Sequence, residues 1–206
     1  MRKNRFLKFK GGFTIIELMI CVFIFAMMTT LLLAKYGSFN TNVLLTNLAY
    51  DVALTIRNAQ SYGLNVKSSP NEENKFNYAY GVHIALGTEF IFFVDTTPNG
   101  LYDANLGEKI TSTTIKRGMS IGRICPGSAI CSSLNSYTGA DSMDITYKRP
   151  NPEAIIKSTT GGVTITQTSF SSSFALRNSL STTFPDLLNS IDIVVNKNGA
   201  ISIKKK

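Results

Sequence analysis

The stretch KGGFTIIELMICVFIFAMMTTLLLA, residues 10–34, decides how this chain is organised. Residues 15–34 are apolar except for Glu17 and the hydroxyl groups of Thr29 and Thr30. At about 1.5 Å per residue, a helix of this length spans about 30 Å, which is the thickness of the hydrocarbon core of a bilayer. The sequence therefore predicts a transmembrane helix over residues 15–34.

The residues before the apolar stretch predict its orientation. They include five basic residues and no acidic residue, namely Arg2, Lys3, Arg5, Lys8 and Lys10. Because cytoplasmic flanks carry an excess of basic residues, the N-terminus is predicted to be cytoplasmic and the chain after Lys35 to be exported. A secretory signal peptide has a similar start, but its apolar core is shorter and ends in an A-x-A-like cleavage site, whereas this one continues into AKYGS. We therefore predict a single-pass membrane protein.

Glu17 is the residue that a plain membrane anchor does not explain. A carboxylate inside a membrane helix costs about 2.5 to 3.5 kcal/mol on insertion scales, so such a group is by default functional and needs a partner. Directly before the apolar stretch, Gly11 and Gly12 favour an extended backbone that a protease can reach, because glycine disfavours helix continuation. The pattern thus combines an accessible backbone with an intramembrane acid.

Residues Gly12-Phe13-Thr14-Ile15-Ile16-Glu17-Leu18, after a short basic leader and before a long apolar helix, resemble the class III signal of type IV prepilins and type II secretion pseudopilins. The resemblance implies that a membrane-embedded prepilin peptidase removes leader residues 1–12 by cutting between Gly12 and Phe13. It further implies that the new amine of Phe13 is methylated. In this family the carboxylate at the position of Glu17 pairs with the N-terminal amine of a neighbouring pilin or pseudopilin subunit.

Beyond the apolar stretch, an amphipathic pattern predicts that the helix continues. Apolar residues recur at steps of three and four, at Leu45, Leu48, Ala49, Val52, Ile56 and Ala59. We predict one long helix over residues 13–62, transmembrane over 15–34 and amphipathic over 38–62. An exported, β-rich globular domain is predicted over 63–206.

The exported part has the alternating pattern of β-strands from Tyr78 onward. Asn198-Gly199 predicts a type I′ hairpin turn, since both residues tolerate positive φ, and the Ser- and Thr-rich residues 171–190 are interpreted as a loop or short helix. The fold class is therefore α+β, with an antiparallel β-sheet domain after the helix. The predicted strands are 78–86, 89–95, 108–115, 119–124, 142–148, 154–158, 162–170 and 191–204.

The order of these elements resembles the GspH/FimT-like branch of pseudopilins and minor pilins, and FIFFVDTTPNGLYDANLGEKI, residues 90–110, supports that branch. The resemblance implies a pilin-like fold and a low-copy structural subunit that waits in the inner membrane and then joins a type IV pilus or a type II secretion pseudopilus. Some FimT-like relatives capture DNA during uptake through basic C-terminal loops. A DNA-binding minor pilin is therefore the alternative function.

The net charge of +8 lies at the two ends of the chain. The leader supplies five positive charges and Lys204, Lys205 and Lys206 supply three, so residues 13–203 carry no net charge. Near the C-terminus only Lys197 and these three lysines are available to contact DNA. Because a few phosphate contacts give weak, salt-sensitive binding, the charge distribution favours a structural role over DNA binding.

The three cysteines have different expected roles. Cys21 lies in the apolar helix, where it is a small buried residue. Cys125 and Cys131 lie in CPGSAIC on the exported side, where the compartment is oxidising in most bacteria. The Pro and Gly between them can turn the chain back, so a disulfide is predicted and a metal site is not.

Asp95, Asn99 and Asp103 place oxygen ligands in one loop, as a calcium site would. Their spacing departs from the pattern of calcium-binding loops, and Asx residues with Gly and Pro are first of all turn formers, so a turn is favoured over calcium. His83 is the only histidine, and neither a nucleophile elbow nor a phosphate-binding glycine loop is present. We predict neither enzymatic activity nor a cofactor.

Overall fold

The fold is α+β, with a long N-terminal helix ahead of antiparallel β-sheets, as the sequence predicts. The computed structural model describes residues 12–65, 77–127, 139–168, 171–178 and 190–205. The chain divides into two compact units, Met1–Thr41 and Asn42–Lys206. Within the described residues, one helix and ten strands make up the regular structure apart from a short 3₁₀ turn, Ala104–Leu106.

Helix α1, Ile15–Leu64, matches the predicted long helix to within two residues at each end. Its segment Ile15–Leu33 has a mean hydropathy of 2.5 and no buried residue, so by length and composition it is able to cross a membrane. Further along the helix the predicted stripe packs inward. Leu48 is partly buried, and the buried members are Leu45, Ala49, Val52, Ile56 and Ala59.

The strands form two antiparallel sheets. The first contains β1 (Ala79–Ala85), β2 (Glu89–Asp95), β3 (Lys109–Thr114), β5 (Ser142–Lys148), β6 (Asn151–Thr160) and β7 (Val163–Thr166), in the order β3-β2-β1-β5-β6-β7. The second contains β4 (Met119–Cys125), β8 (Ser171–Asn178), β9 (Ile191–Asn196) and β10 (Ile201–Lys205), in the order β10-β9-β8-β4. The buried stripe of α1 and the inner faces of both sheets share one hydrophobic core.

The C-terminal end of α1 lies against β5. Gly63 is inside the last turn of the helix, where an added Cβ would collide with the backbone carbonyl of Tyr147. The carbonyl of Gly63 also accepts a hydrogen bond from the N–H of Arg149 at 3.1 Å. Glycine is needed here because it allows the two backbones to approach closely, even though it weakens a helix interior.

Residues 171–190 are predicted to form a loop or short helix, and the structure contradicts this prediction for residues 171–178. Residues Ser171–Asn178 form β8, which lies between β9 and β4 in the second sheet. Serine has a low strand propensity, but packing overrides it, since Ser172 and Ser173 are fully buried. The Ser172 hydroxyl accepts a hydrogen bond from the N–H of Gly127 at 3.1 Å, which satisfies a buried polar group. Residues 179–189 lie outside the described part.

Three further predictions in the β-sheet part need correction. The strand predicted over 162–170 is shorter, because β7 ends at Thr166. β6 begins at Asn151 rather than at 154, and it tolerates Pro152 because the pairing with β5 shifts register there. The C-terminal hairpin is confirmed, but its turn is not type I′. Within this turn only Gly199 has positive φ (82°), and the N–H of Gly199 donates a hydrogen bond to the carbonyl of Asn196. The turn is therefore a three-residue loop with a glycine bulge.

Candidate processing and assembly site

The backbone just before α1 is open to solvent. Gly12, Phe13 and Thr14 are exposed and non-helical, and the side chain of Phe13 is 78% exposed. Apart from Gly12 itself and its chain neighbours, no atom of the described residues lies within 4 Å of the position that a Cβ would take at Gly12. The peptide bond between Gly12 and Phe13 is therefore accessible to a membrane protease, and cleavage there stays a prediction.

Thr14 sets the point at which α1 begins. Its side-chain oxygen accepts a hydrogen bond from the N–H of Glu17 at 3.3 Å, and its carbonyl accepts one from the N–H of Leu18 at 3.1 Å. A threonine cap followed three residues later by glutamate is the sequence of a capping box, which satisfies donors that the first turn leaves unpaired. Because the helix begins after this cap, Gly12 and Phe13 stay outside it.

Glu17 lies in the first turn of α1 and is exposed. A negative charge at this end of a helix interacts favourably with the helix dipole, which offsets part of its cost in an apolar surrounding. In the described part of the chain no basic side chain forms an ion pair with Glu17. The amine of a neighbouring subunit, which the family resemblance implies as the partner of Glu17, stays a prediction.

Residues 7–33 match the family model described as the prokaryotic N-terminal methylation motif. The match contains Gly12, Phe13, Glu17 and almost the whole apolar segment. This motif marks a type IV prepilin-like protein. The motif implies processing by a prepilin peptidase and assembly with other pilin subunits, and it points to a structural rather than an enzymatic family. With the apolar helix, it indicates a pilin anchored in a membrane by a single span.

Comparisons with curated proteins and with solved structures give no match for this prepilin-like protein. The methylation motif covers only the N-terminal part of the chain and does not identify the GspH/FimT-like branch. The motif therefore gives no information on the function of the β-sheet domain.

The three calcium candidates are used to build turns in the loop between β2 and β3. Among the described residues, no group of three or more His, Cys, Asp or Glu side chains is placed to hold a metal ion. The hydrogen bonds are those from Asn99 N to Asp95 Oδ1 (3.2 Å), from Gly100 N to Asp95 Oδ2 (2.8 Å), from Leu101 N to Asn99 Oδ1 (2.7 Å) and from Asn105 N to Asp103 Oδ1 (3.4 Å).

Glu108 anchors this loop, and the sequence analysis missed it. Its side chain is fully buried, and Oε1 accepts hydrogen bonds from the N–H and hydroxyl groups of Thr96 and Thr97 at 2.9 to 3.3 Å. Its Oε2 accepts the N–H of Asp103 at 2.9 Å. Five donors converge on one carboxylate, which is how a buried charge is made tolerable. The sequence places Glu108 at the start of the predicted strand 108–115 and gives no local signal of this role.

Asp95 is also buried and lies near Glu108. Burial raises the pKa of the Asp95 carboxyl above its usual value, and the negative charge of Glu108 acts in the same direction. The N–H groups of Gly100 and Asn99 and the positive charge of Lys148 oppose the rise in pKa without cancelling it. This part of the domain therefore holds a carboxyl group whose proton is retained to higher pH than in an unfolded chain.

His83 has a structural partner. It lies on β1, an inner strand, and its Nδ1 is 2.7 Å from Oδ1 of the buried Asp144 on β5. The same Asp144 oxygen accepts the N–H of Tyr102 at 3.3 Å, and the Tyr102 ring lies 5.2 Å from the His83 ring. These contacts tie the β2–β3 loop to the face of the first sheet.

The predicted disulfide is only half described. Cys125 is the last residue of β4 and is disulfide-bonded, whereas Cys131 lies outside the described residues, so its role as the partner of Cys125 stays a prediction. Cys21 is a free, exposed cysteine in the apolar segment of α1. Like the rest of that segment it is not buried by the chain, so its burial in a membrane helix stays a prediction.

The lysines proposed as DNA contacts do not form a free tail. Lys204 and Lys205 belong to β10, and Lys204 lies directly opposite Asp192 in the pairing with β9. Lys197 is exposed in the turn before β10, where its carbonyl accepts the N–H of Ala154 at 2.8 Å. Lys206 lies outside the described residues. The predicted contacts are thus distributed over a turn and an edge strand.

Proposed function

We propose that this prepilin-like protein is a minor pilin or pseudopilin. It is a structural subunit that prepilin peptidase processes in the inner membrane and that then enters a type IV pilus or a type II secretion pseudopilus. The observation that carries the proposal is the arrangement of Gly12, Phe13 and Glu17, in which an accessible peptide bond precedes a capped helix whose first turn presents a carboxylate.

The exposed apolar segment supports an existence in two environments. None of the residues in Ile15–Leu33 is buried by the chain itself, so a bilayer has to cover them before assembly. Inside a filament, the corresponding helices of neighbouring subunits replace the lipid. Glu17 is then satisfied by a subunit that has already been processed, because only processing creates the amine at Phe13.

Processing is the step to test first. The full chain is produced with and without an active prepilin peptidase, and the mature protein is analysed by intact mass and N-terminal peptide sequencing. We expect a product that lacks residues 1–12 and begins with a methylated Phe13. Gly12→Val should block the cut, and Gly12→Ala, the smallest possible change, should retain more product. An intact leader in the presence of active peptidase would contradict the proposal.

DNA binding, the function of some FimT-like subunits, remains an alternative that the described residues do not favour. The body of the domain has no net charge, and Lys204 and Lys205 are held in β10. Since only a few phosphate contacts are available, we expect weak, nonspecific binding at physiological salt. Submicromolar binding of duplex DNA that survives Lys204→Gln and Lys205→Gln would support the alternative and direct attention to Lys148, Arg149, Lys157 and Arg177.

A further inference from the structure

Three of the four edge strands in the described sheets carry features that discourage pairing with another chain. β3 has Lys109 and an extra residue, Ile110, in its pairing with β2. β4 has an extra residue, Gly122, followed by Arg123, and β10 carries two lysines. Bulges and charged side chains are the usual protection of an open edge. β7, Val163-Thr164-Ile165-Thr166, has no charge, no proline and no register shift.

The backbone of β7 presents hydrogen-bonding groups to solvent. Gly161 and Gly162 have φ of 56° and 82°, so they form a two-residue turn of the type that joins hydrogen-bonded partners, here Thr160 and Val163. Hydrogen-bonded and non-bonded pairs alternate along an antiparallel ladder. The N–H of Gln167 accordingly donates to Ile156 at 2.8 Å. The N–H and C=O groups of the intervening residues, 164 and 166, therefore point away from β6.

The side chains of β7 leave an apolar strip beside this open backbone. Val163 and Ile165 are 63% and 57% exposed. They lie on the same face of the sheet as Ile156 and Ser158 of β6, which are buried, so the inner face of the sheet continues beyond the part that the core covers. On the other face, the hydroxyl of Thr164 lies 3.0 Å from that of Thr159.

We infer that β7 pairs with the β7 strand of a second copy of this chain, in antiparallel orientation about a two-fold axis through Ile165. Thr164 of each copy then lies opposite Thr166 of the other, and their outward N–H and C=O groups form about four hydrogen bonds, two for each hydrogen-bonded pair. The two Ile165 side chains meet at the non-bonded position, where side chains are closest. Because β7 is uncharged, the second copy meets no like charge across the axis.

The short length of β7 predicts the strength of this pairing. An interface of four residues on each side buries much less surface area than the roughly 1,200 Å² of a stable complex. Copies that diffuse freely should therefore pair weakly. Copies anchored in the same membrane have a much higher effective concentration, which favours the pairing of β7 with its copy without any new interaction. The pairing does not depend on processing or filament entry, so it is testable even if the proposed function is wrong.

The test uses disulfide crosslinking of the full chain in membranes, with Cys21→Ala as the parent. Ile165→Cys should give a disulfide-linked homodimer on mild oxidation, since residues at a non-bonded position have Cα atoms about 4.5 Å apart, within the range of disulfides. Val163→Cys is the matched control. It lies on the same face and is similarly exposed, but in this register it is offset from its copy by four residues, about 14 Å along the strands at about 3.4 Å per residue.

The expected result is efficient crosslinking at residue 165, background crosslinking at residue 163, and loss of the 165 product when Thr164→Pro removes an outward N–H. Thr164→Pro leaves the pairing with β6 intact, because that N–H does not point to β6. Equal crosslinking at both positions would indicate random collision and overturn the inference, as would no crosslinking at either. A product with a different protein in place of the homodimer would overturn the assignment to a second copy.

Discussion

The two parts of helix α1 bury their apolar side chains in different ways. In Ile15–Leu33 the apolar residues occupy every side of the helix, and none of them is buried by the chain. From Leu45 to Ala59 they occupy one stripe, and that stripe enters a core shared with both sheets. A helix that is apolar all round needs an apolar surrounding, whereas a striped helix needs only one covering surface. The first part therefore depends on a bilayer or on other subunits, and the second depends on its own domain.

The largest expected effect separates assembly from insertion. Glu17→Val removes the only acid of the apolar segment, which should leave membrane insertion intact or improved, because the carboxylate costs about 2.5 to 3.5 kcal/mol there. Breaking a buried charge pair costs about 2 to 5 kcal/mol, so incorporation into filaments should fall more than about tenfold. The ratio of subunit in sheared filaments to subunit in membranes measures this effect.

Glu17→Asp, which keeps the charge on a shorter side chain, is the matched control and should retain part of the incorporation. If Glu17→Val subunits enter filaments as well as the wild type, the first part of α1 needs only an apolar surrounding and no charged partner.

The next prediction concerns the stripe. Ile56 is fully buried, and Ile56→Ala should lower the free energy of unfolding of the β-sheet domain by about 2 to 5 kcal/mol, through lost burial and the cavity left behind. Ile24→Ala makes the same change at an exposed position in the apolar segment and should change it by less than about 0.5 kcal/mol. Urea unfolding of the full chain in detergent, followed by tyrosine fluorescence, compares them. If both substitutions lowered the free energy of unfolding by similar amounts, the two parts of α1 would unfold as one unit.

A smaller effect of opposite sign is expected in the core. The hydroxyl of Tyr147 is buried without a hydrogen-bond partner among the described residues, and burial raises its pKa. Because a buried unpaired polar group is costly, Tyr147→Phe should stabilise the domain by about 1 kcal/mol. Tyr80→Phe, at the residue directly opposite on β1, serves as the control and should not stabilise the domain, since the hydroxyl of Tyr80 is not a buried group without a partner. A destabilised Tyr147→Phe would indicate a partner for the hydroxyl.

The smallest expected effect is a change in pH dependence. The folded-state pKa of Asp95 is raised, chiefly by burial, so its contribution to stability is complete below the unfolded value of 3.8 and is lost as pH rises through the raised folded value. Asp95→Asn should remove this fall, whatever its constant effect on stability. Asp51→Asn, at an exposed position on α1, should keep the wild-type pH dependence. The unfolding free energies of the wild type and both variants are measured from acidic to neutral pH. If the unfolding free energy of Asp95→Asn fell with pH as it does in the wild type, Asp95 would not be the group responsible.

Elements whose signal is local were predictable from the sequence. The apolar segment, the stripe of α1 and most strands of the first sheet have strong periodic patterns, and the structure places them within a few residues of the predicted bounds. The features of the predicted processing site are likewise local, because Gly12, Phe13 and Glu17 lie within six consecutive residues. Nothing about them depends on distant parts of the chain.

Features that depend on distant contacts were not predictable. β8 is built from serines whose strand conformation is fixed by neighbouring strands. The turn at Gly199 is shaped by Gln60 and Pro152, which lie close to the site that a Cβ would take there. Glu108 gives no pattern of its own, since its five donors come from residues whose approach only the folded loop creates. The division of the strands between two sheets depends on which strands pair, and the local sequence pattern of each strand does not indicate its partner.

The contact of Gly63 with β5 has a mechanical consequence. Because the backbone of α1 touches the carbonyl of Tyr147 and hydrogen-bonds to Arg149, tension along the helix is passed to these two residues as well as to the core that holds the stripe from Leu45 to Ala59. β5 is an inner strand with β1 on one side and β6 on the other, so the load is shared between two ladders of hydrogen bonds. An edge strand in the same place would be held by one ladder and would peel away more readily. The glycine thus allows the end of the helix to share its load with an inner strand of the sheet.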